Sequence, residues 1–300
     1  MWFWFSLAAL LCWSGSDVFS KLGCRYADDK YGSLKMVTAV GAVMGMHAFY
    51  TVFVSGVSVT AADMLKYLPV SACYILSMAL GYAGHRYIEL SILSPICNSS
   101  GAIVALLCII RGDKLALPQL IAVALVCAGV IGLGVADMRE DDDLRKKRQS
   151  ISNYKYAKSA AAIALPLAYC LIDAVGTFAD SIILETLDED AANSAYEFTF
   201  LVCGIVSFIY VKFIKKQKFI AKREAPKYAG AVFETAGQFA YIYALADETH
   251  VALTVPVISA YCLASVLWGR IFLKEKLSLK HYITILIAAV GIVILGIYDI

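Results

Sequence analysis

The sequence predicts an all-α integral membrane protein of ten transmembrane helices, arranged as two inverted five-helix repeats. Three observations predict it: an apolar composition, ten apolar runs of helix length, and a register of matching residues shared by the two halves. Of the 300 residues, 60% are hydrophobic and 17% charged, whereas a soluble globular chain is about half apolar and about a quarter charged. A net charge of +2 supplies no basic field for nucleic acid, so the positive residues matter through where they fall.

A hydrocarbon core about 30 Å thick takes ~20 residues of helix. With isolated polar interruptions allowed, runs of that length extend over Trp2 to Leu22, Leu34 to Val54, Leu68 to Arg86, Ser91 to Ile110 and Pro118 to Ala136. Beyond the middle of the chain they extend over Ala160 to Leu184, Ala192 to Phe213, Tyr228 to Ala246, Val251 to Leu273 and Tyr282 to Tyr298. No basic segment precedes the first run, and Lys21 and Arg25 close it, so it reads as a retained helix rather than a cleaved signal. Eight of the nine cysteines lie inside apolar runs with no CxxC spacing. They read as small packing residues, and neither a metal nor a cofactor is expected.

Between the fifth and sixth runs lies MREDDDLRKKRQSISNYKYAKS, an acidic and then basic solvated linker. The expected organisation is a first repeat at 1–138, a linker at 139–159 and a second repeat at 160–300. Laying ILSPICNSSG under LTVPVISAYC puts Pro95 on Pro256 at an offset of 161. After one inserted residue the register holds at 162: Lys114 on Lys276, Leu115 on Leu277, Gly129 on Gly291, Leu133 on Leu295, Gly134 on Gly296 and Asp137 on Asp299. Paired prolines, glycines and charged ends in one register point to duplication. An odd number of spans per half makes the second half enter the membrane from the opposite side, the architecture of many secondary transporters.

Each proline removes a backbone hydrogen bond in mid-span, a fault tolerable in lipid only where neighbouring groups or a wet cavity satisfy the freed carbonyl. Pro95 and Pro256 are therefore the expected hinges. The charges at Arg270, Lys274, Glu275 and Lys276 form the interfacial turn before the last helix.

The proline-bearing helix, the Asp113-Lys114-Leu115 and Glu275-Lys276-Leu277 turns, the glycine-punctuated closing helix and the ten-helix duplication resemble the EamA-type branch of the drug/metabolite transporter superfamily. The resemblance covers nearly the whole chain. It implies a carrier of small organic solutes with a central cavity between the halves. Two departures stand out: Asp113 occupies the turn position where the family usually has glutamate, and Asp17 interrupts the first helix.

Of the lysines and arginines, 23 fall on the side of the first interhelical loop and only Lys66, Arg111 and Lys114 on the other. By the positive-inside rule both termini are outside, although members of the resembled family are often drawn with both inside.

An ionised side chain at the centre of a span costs ~2.5 to 3.5 kcal/mol, so Asp17, Asp173, Glu197 and Glu234 should face a cavity or each other. Asp180 and Glu197 lie nearer their helix ends, where interfacial water makes an acid cheap; Asp173 and Glu234 are deepest. At helical spacing Ser14, Asp17 and Lys21 share a face, as do Asp173, Thr177 and Asp180, and Glu234, Gln238 and Tyr241. Trp13, Ser14, Asp17, Tyr74, Ser77, Asn98, Asp173, Thr177, Glu234, Gln238, Tyr241 and Tyr261 form the expected substrate site, with Asp173 and Glu234 the proton-coupling candidates. Each has a plainer reading: Asp17 with Lys21 as a snorkelling pair, Asn98 as a patch on the backbone broken by Pro95, the tyrosines as core.

No P-loop, GxGxxG, HExxH or GxSxG sequence is present, which argues against ATP-driven transport and the common catalytic classes. The expected function is proton-coupled carriage of a small polar organic solute, an amino acid, amine or related metabolite, by a monomer or homodimer in the cell membrane. An intramembrane enzyme using a buried carboxylate pair, or a solute channel, are the alternatives. Solute flux with and without a gradient separates the three.

Overall fold

The computed structural model describes residues 1–24, 26, 29–87, 90–139, 160–272 and 277–298. The linker at 140–159, the turn residues Lys274, Glu275 and Lys276, and Asp299 lie outside the described residues. Among those described are α1 (Trp2–Cys24), α2 (Gly32–Phe53), α3 (Ala61–Tyr87), α4 (Leu90–Asn98), α5 (Ser100–Arg111) and α6 (Leu117–Met138). The second half supplies α7 (Ala160–Ile183), α8 (Glu189–Ile209), α9 (Ala221–Leu245), α10 (Val251–Ser259), α11 (Tyr261–Phe272) and α12 (Leu279–Tyr298). A π turn at Tyr210–Ile214 extends α8, and a 3-10 turn at Glu248–His250 leads into α10.

Local chemistry sets the helix ends. Thr60 and Asp63 exchange hydrogen bonds at the start of α3, a capping box that satisfies two otherwise orphaned amides. Asp188 accepts from the amides of Asp190 and Ala191 at 3.1 Å each and opens α8, where an acid also suits the positive end of the helix dipole. Gly112, with φ +122, stops α5 in a conformation that a side chain would strain.

Eight segments among the described residues are long and apolar enough to cross a membrane. The two expected spans outside that set are α1 and α9. Their helices are 23 and 25 residues long, but α1 carries Asp17, Lys21 and four serines, and α9 carries Lys222, Arg223, Glu224, Lys227 and Glu234. Large apolar side chains such as Phe53, Ile110, Phe213, Phe272 and Ile297 are exposed, whereas serines such as Ser16, Ser20, Ser71 and Ser77 are buried. That reversal suits a body whose solvent is lipid.

The fourth and ninth runs, expected as continuous helices, are each split: α4 stops at Asn98 and α10 at Ser259. The splits match. The Ser99 amide forks to the carbonyls of Pro95 and Ile96 at 3.1 and 3.3 Å, and the Ala260 amide forks to those of Pro256 and Val257 at 3.2 Å each. Ser99 and Ala260 stand 161 residues apart, the offset that pairs the prolines.

The most extensive packings are α1 on α9, α2 on α8, α6 on α12 and α3 on α7. Numbering each span of one half by its counterpart in the other turns the α1–α9 pair into α7–α3 and leaves the other two pairs unchanged. The contacts are reciprocal at residue level. A Cβ on Gly129 would lie 2.8 Å from the Thr284 carbonyl oxygen, with Ala288 beside it; one on Gly291 would lie 2.7 Å from the Ala122 carbonyl oxygen, with Val126 beside it. All three pairs of equivalents, 129 with 291, 122 with 284 and 126 with 288, are 162 residues apart.

Candidate functional site

Residues of α1, α3, α4, α5, α7, α8, α9, α10 and α11 line a cavity of about 100 Å³. Its lining carries three carboxylates, Asp17, Asp173 and Glu234, and no lysine, arginine or histidine among the described residues. Each carboxylate is held by serine hydroxyls from other helices. Asp17 on α1 accepts from Ser94 on α4 at 3.0 Å and from Ser265 on α11 at 2.9 Å. Asp173 on α7 accepts from Ser100 at the start of α5 at 2.8 Å and from Ser77 on α3 at 3.4 Å. Glu234 on α9 accepts from Ser16 on α1 at 2.7 Å. A hydroxyl satisfies a buried carboxylate oxygen without neutralising its charge. Lys21, one turn further along α1, also acts on Asp17 as a positive charge.

Aromatic rings also line the cavity. Trp13 packs on Tyr241 and Tyr261 with centroids 5.1 and 5.9 Å away. The hydroxyl of Tyr74 meets that of Tyr241 in a short hydrogen bond. Behind them Asp180, fully buried, accepts from Tyr67 at 2.7 Å and from Tyr74 at 2.9 Å.

Near the other end of α9 a ring of four buried charges closes the gap between α1, α2 and α9. Lys35 lies 3.0 Å from Asp29 and 3.5 Å from Glu224; Lys227 lies 3.0 Å from Glu224 and 3.7 Å from Asp29. The stem of Lys227 fills the space over Gly23, one turn beyond the cavity-lining Ser20. The two ends of the cavity are thus bounded by different chemistry, tyrosine hydroxyls on a carboxylate at one and paired charges at the other.

Of the residues expected at the site, Trp13, Asp17, Tyr74, Asn98, Asp173, Thr177, Glu234, Gln238, Tyr241 and Tyr261 line this one cavity. Ser77 stands behind it, donating to the Tyr74 carbonyl as well as to Asp173. Ser14 lies apart: it donates to the Leu11 carbonyl at 2.7 Å and accepts from the Trp268 indole at 2.9 Å. Asn98 donates back to the Ser94 carbonyl at 2.8 Å, so it also mends the backbone at the split. Pro95 and Pro256 lie outside the lining of this cavity.

Glu197, expected in interfacial water, is fully buried two turns inside α8, because α2 covers it and the His47 imidazole bridges both its oxygens at 2.8 and 2.9 Å. Tyr243 lies outside the lining and donates to Asp190 at 2.6 Å.

Sequence reasoning passed over Ser16, Ser94, Tyr82, Tyr169 and Tyr196, all in the lining. Tyr82 and Tyr169 were within reach of it, since Tyr74, Met78 and Tyr82 recur every four residues on α3, and Tyr169, Asp173 and Thr177 do so on α7. Ser94 and Ser265 carry no such signal, because their meeting at Asp17 depends on how α1, α4 and α11 pack.

The model of the EamA-like transporter family matches residues 160–297. A solved crystal structure shares the fold with a TM-score of 0.68, covering 98% of this chain and 95% of its own at 11% identity. No curated protein matches the sequence.

Proposed function

The chain belongs, through residues 160–297, to the EamA-like transporter family of the drug/metabolite transporter superfamily, and from that premise we propose a proton-coupled secondary transporter that moves a small polar organic solute by alternating access. One observation carries the reading: carboxylates from both halves of the chain, Asp17 from the first and Asp173 and Glu234 from the second, line one buried cavity flanked by two helices broken at equivalent places. Secondary transporters with repeated halves place their sites near the midplane at broken helices in this way.

In this reading α4 with α5, and α10 with α11, each count as one broken span, giving five spans per half and ten in all. Residues 1–138 and 160–300 are then inverted repeats. The exchange of helix pairs and the reciprocal glycine contacts support that arrangement. Rocking of one half against the other opens the cavity to each side in turn, with the splits at Ser99 and Ala260 absorbing the bending beside Pro95 and Pro256. Asp173 and Glu234 take up and release the coupling proton as the cavity changes exposure. The positive-inside count puts both termini outside.

Purified protein in proteoliposomes tests the reading. Saturable solute uptake that rises with an imposed proton gradient, and that continues as one-for-one counterflow without it, supports the carrier. Fast non-saturating flux points to a channel, and chemical conversion of the solute to an intramembrane enzyme.

A further inference from the structure

Resting on the carrier reading, we propose that the solute is a protonated organic amine without a carboxylate, bearing a neutral acceptor oxygen on an apolar or aromatic body. The charge of the cavity comes first. Asp17, Asp173 and Glu234 line it with serine hydroxyls as their donors and no cationic side chain in the lining among the described residues. Lys21 acts on Asp17 from one turn along α1; at Asp173 and Glu234 an ammonium group supplies a positive charge that the lining does not, and the faces of Trp13 and Tyr241 attract it as well.

The second observation is independent of the acids. Gln238, 4% exposed, and Tyr82, 5% exposed, both line the cavity, and neither the Gln238 amide nitrogen nor the Tyr82 hydroxyl has a hydrogen-bond partner among the described residues. Buried donors left unmade are expensive, so Gln238 and Tyr82 are suited to meet an oxygen brought by the solute.

Position decides what kind of oxygen it is. Gln238 follows Glu234 by four residues on α9. Side chains four apart on a helix are neighbours, about 5–6 Å between their Cβ atoms. A carboxylate bound to Gln238 would face Glu234 one turn away with no cation from the described lining between them. A hydroxyl, phenol or carbonyl oxygen meets the same donors without that repulsion. The arrangement therefore separates an amine from the corresponding amino acid.

Three compounds with one body test this: tyramine, tyrosine and 3-(4-hydroxyphenyl)propionate, titrated calorimetrically into the purified wild-type protein. Tyramine is expected to bind at least tenfold more tightly than tyrosine, and the propionate to give no binding heat. Glu234→Gln and Asp173→Asn should each weaken tyramine at least tenfold, with the thermal midpoint of each variant confirming that it is folded. Gln238→Leu should erase the preference for tyramine over phenethylamine, which lacks the phenol. Tyrosine binding as tightly as tyramine, binding of the propionate, or no binding of either amine overturns the proposal on the wild-type protein alone. Counterflow keeps the two readings apart. Tyramine that binds but does not exchange sinks the carrier and leaves the amine site; tyrosine exchanging at the rate of tyramine keeps the carrier and sinks the amine.

Discussion

Gly41 on α2 and Gly204 on α8 lie against each other, 163 residues apart in the chain, so closely that a Cβ on Gly41 would sit 2.9 Å from the Gly204 Cα and 2.7 Å from the Phe200 carbonyl oxygen. The contact is mutual: a Cβ on Gly204 would sit 3.0 Å from the Gly41 Cα and 3.3 Å from the Val37 carbonyl oxygen, and Val37 and Phe200 are again 163 apart. The clashing atoms are backbone and cannot rotate away, so Gly41→Ala must push α2 from α8. Overpacking of this kind costs about 1–3 kcal/mol. Thermal unfolding of the detergent-solubilised variant should show a lowered midpoint, and an unchanged one would contradict this packing.

The buried charge ring makes a second prediction for stability. Lys227 is fully buried between Glu224 and Asp29, so Lys227→Met takes one buried cation away from both acids. Removing one partner of a buried pair costs ~3–5 kcal/mol. Adding Glu224→Gln should recover part of the loss, because it withdraws one of the stranded charges. Equal midpoints for wild type and single variant would mean that the ring contributes nothing to the fold.

Topology can be read with a membrane-impermeant thiol reagent against a cysteine-free background. Lys216→Cys, in the basic loop before α9, should stay unlabelled in intact cells, and Glu185→Cys, in the turn after α7, should label. The reverse pattern would invert the orientation that the positive charges assign.

At the splits, Pro256→Ala restores an amide that can donate within α10, stiffens the span and should slow turnover several-fold with little change in affinity, since rocking needs helices that bend. Pro95→Ala should act alike. Lost affinity at unchanged maximal rate, at both positions, would make the prolines shapers of the pocket instead.

Glu234→Gln and Asp173→Asn keep volume and hydrogen-bonding capacity while removing a titratable charge. One of the two should abolish gradient-driven accumulation yet retain counterflow at saturating solute, because exchange needs a filled site and the rocking motion but no net release of protons. Wild-type pH dependence of accumulation in both variants would rule these residues out as coupling groups.

How far the sequence could be read follows from the solvent. Lipid demands helix-length apolar runs, so the span positions stood out in plain composition, and even α1 and α9, diluted by Asp17 and Glu234, kept their length. Pro95 and Pro256 marked the split spans but not the splits. A missing amide frees a carbonyl upstream, whereas the interruption falls downstream, where the amides of Ser99 and Ala260 each fork between two carbonyls. Within one helix the i to i+4 rule placed Asp173 with Thr177 and Glu234 with Gln238 on a common cavity. Across helices it was silent: nothing local says that Ser265 meets Asp17, that Ser14 turns to Trp268, or that α2 brings His47 onto Glu197.

The reciprocal packing of the two halves bears on why they are joined in one chain. In a pair of identical chains related by a two-fold axis, every side chain facing a shared chamber occurs twice, so the number of acids there is even. Among the described residues this chamber has three. Parity alone excludes such a site from a dimer of one half-length protein; it needs two halves that fold alike and differ in sequence, and fusion guarantees that each always meets the other.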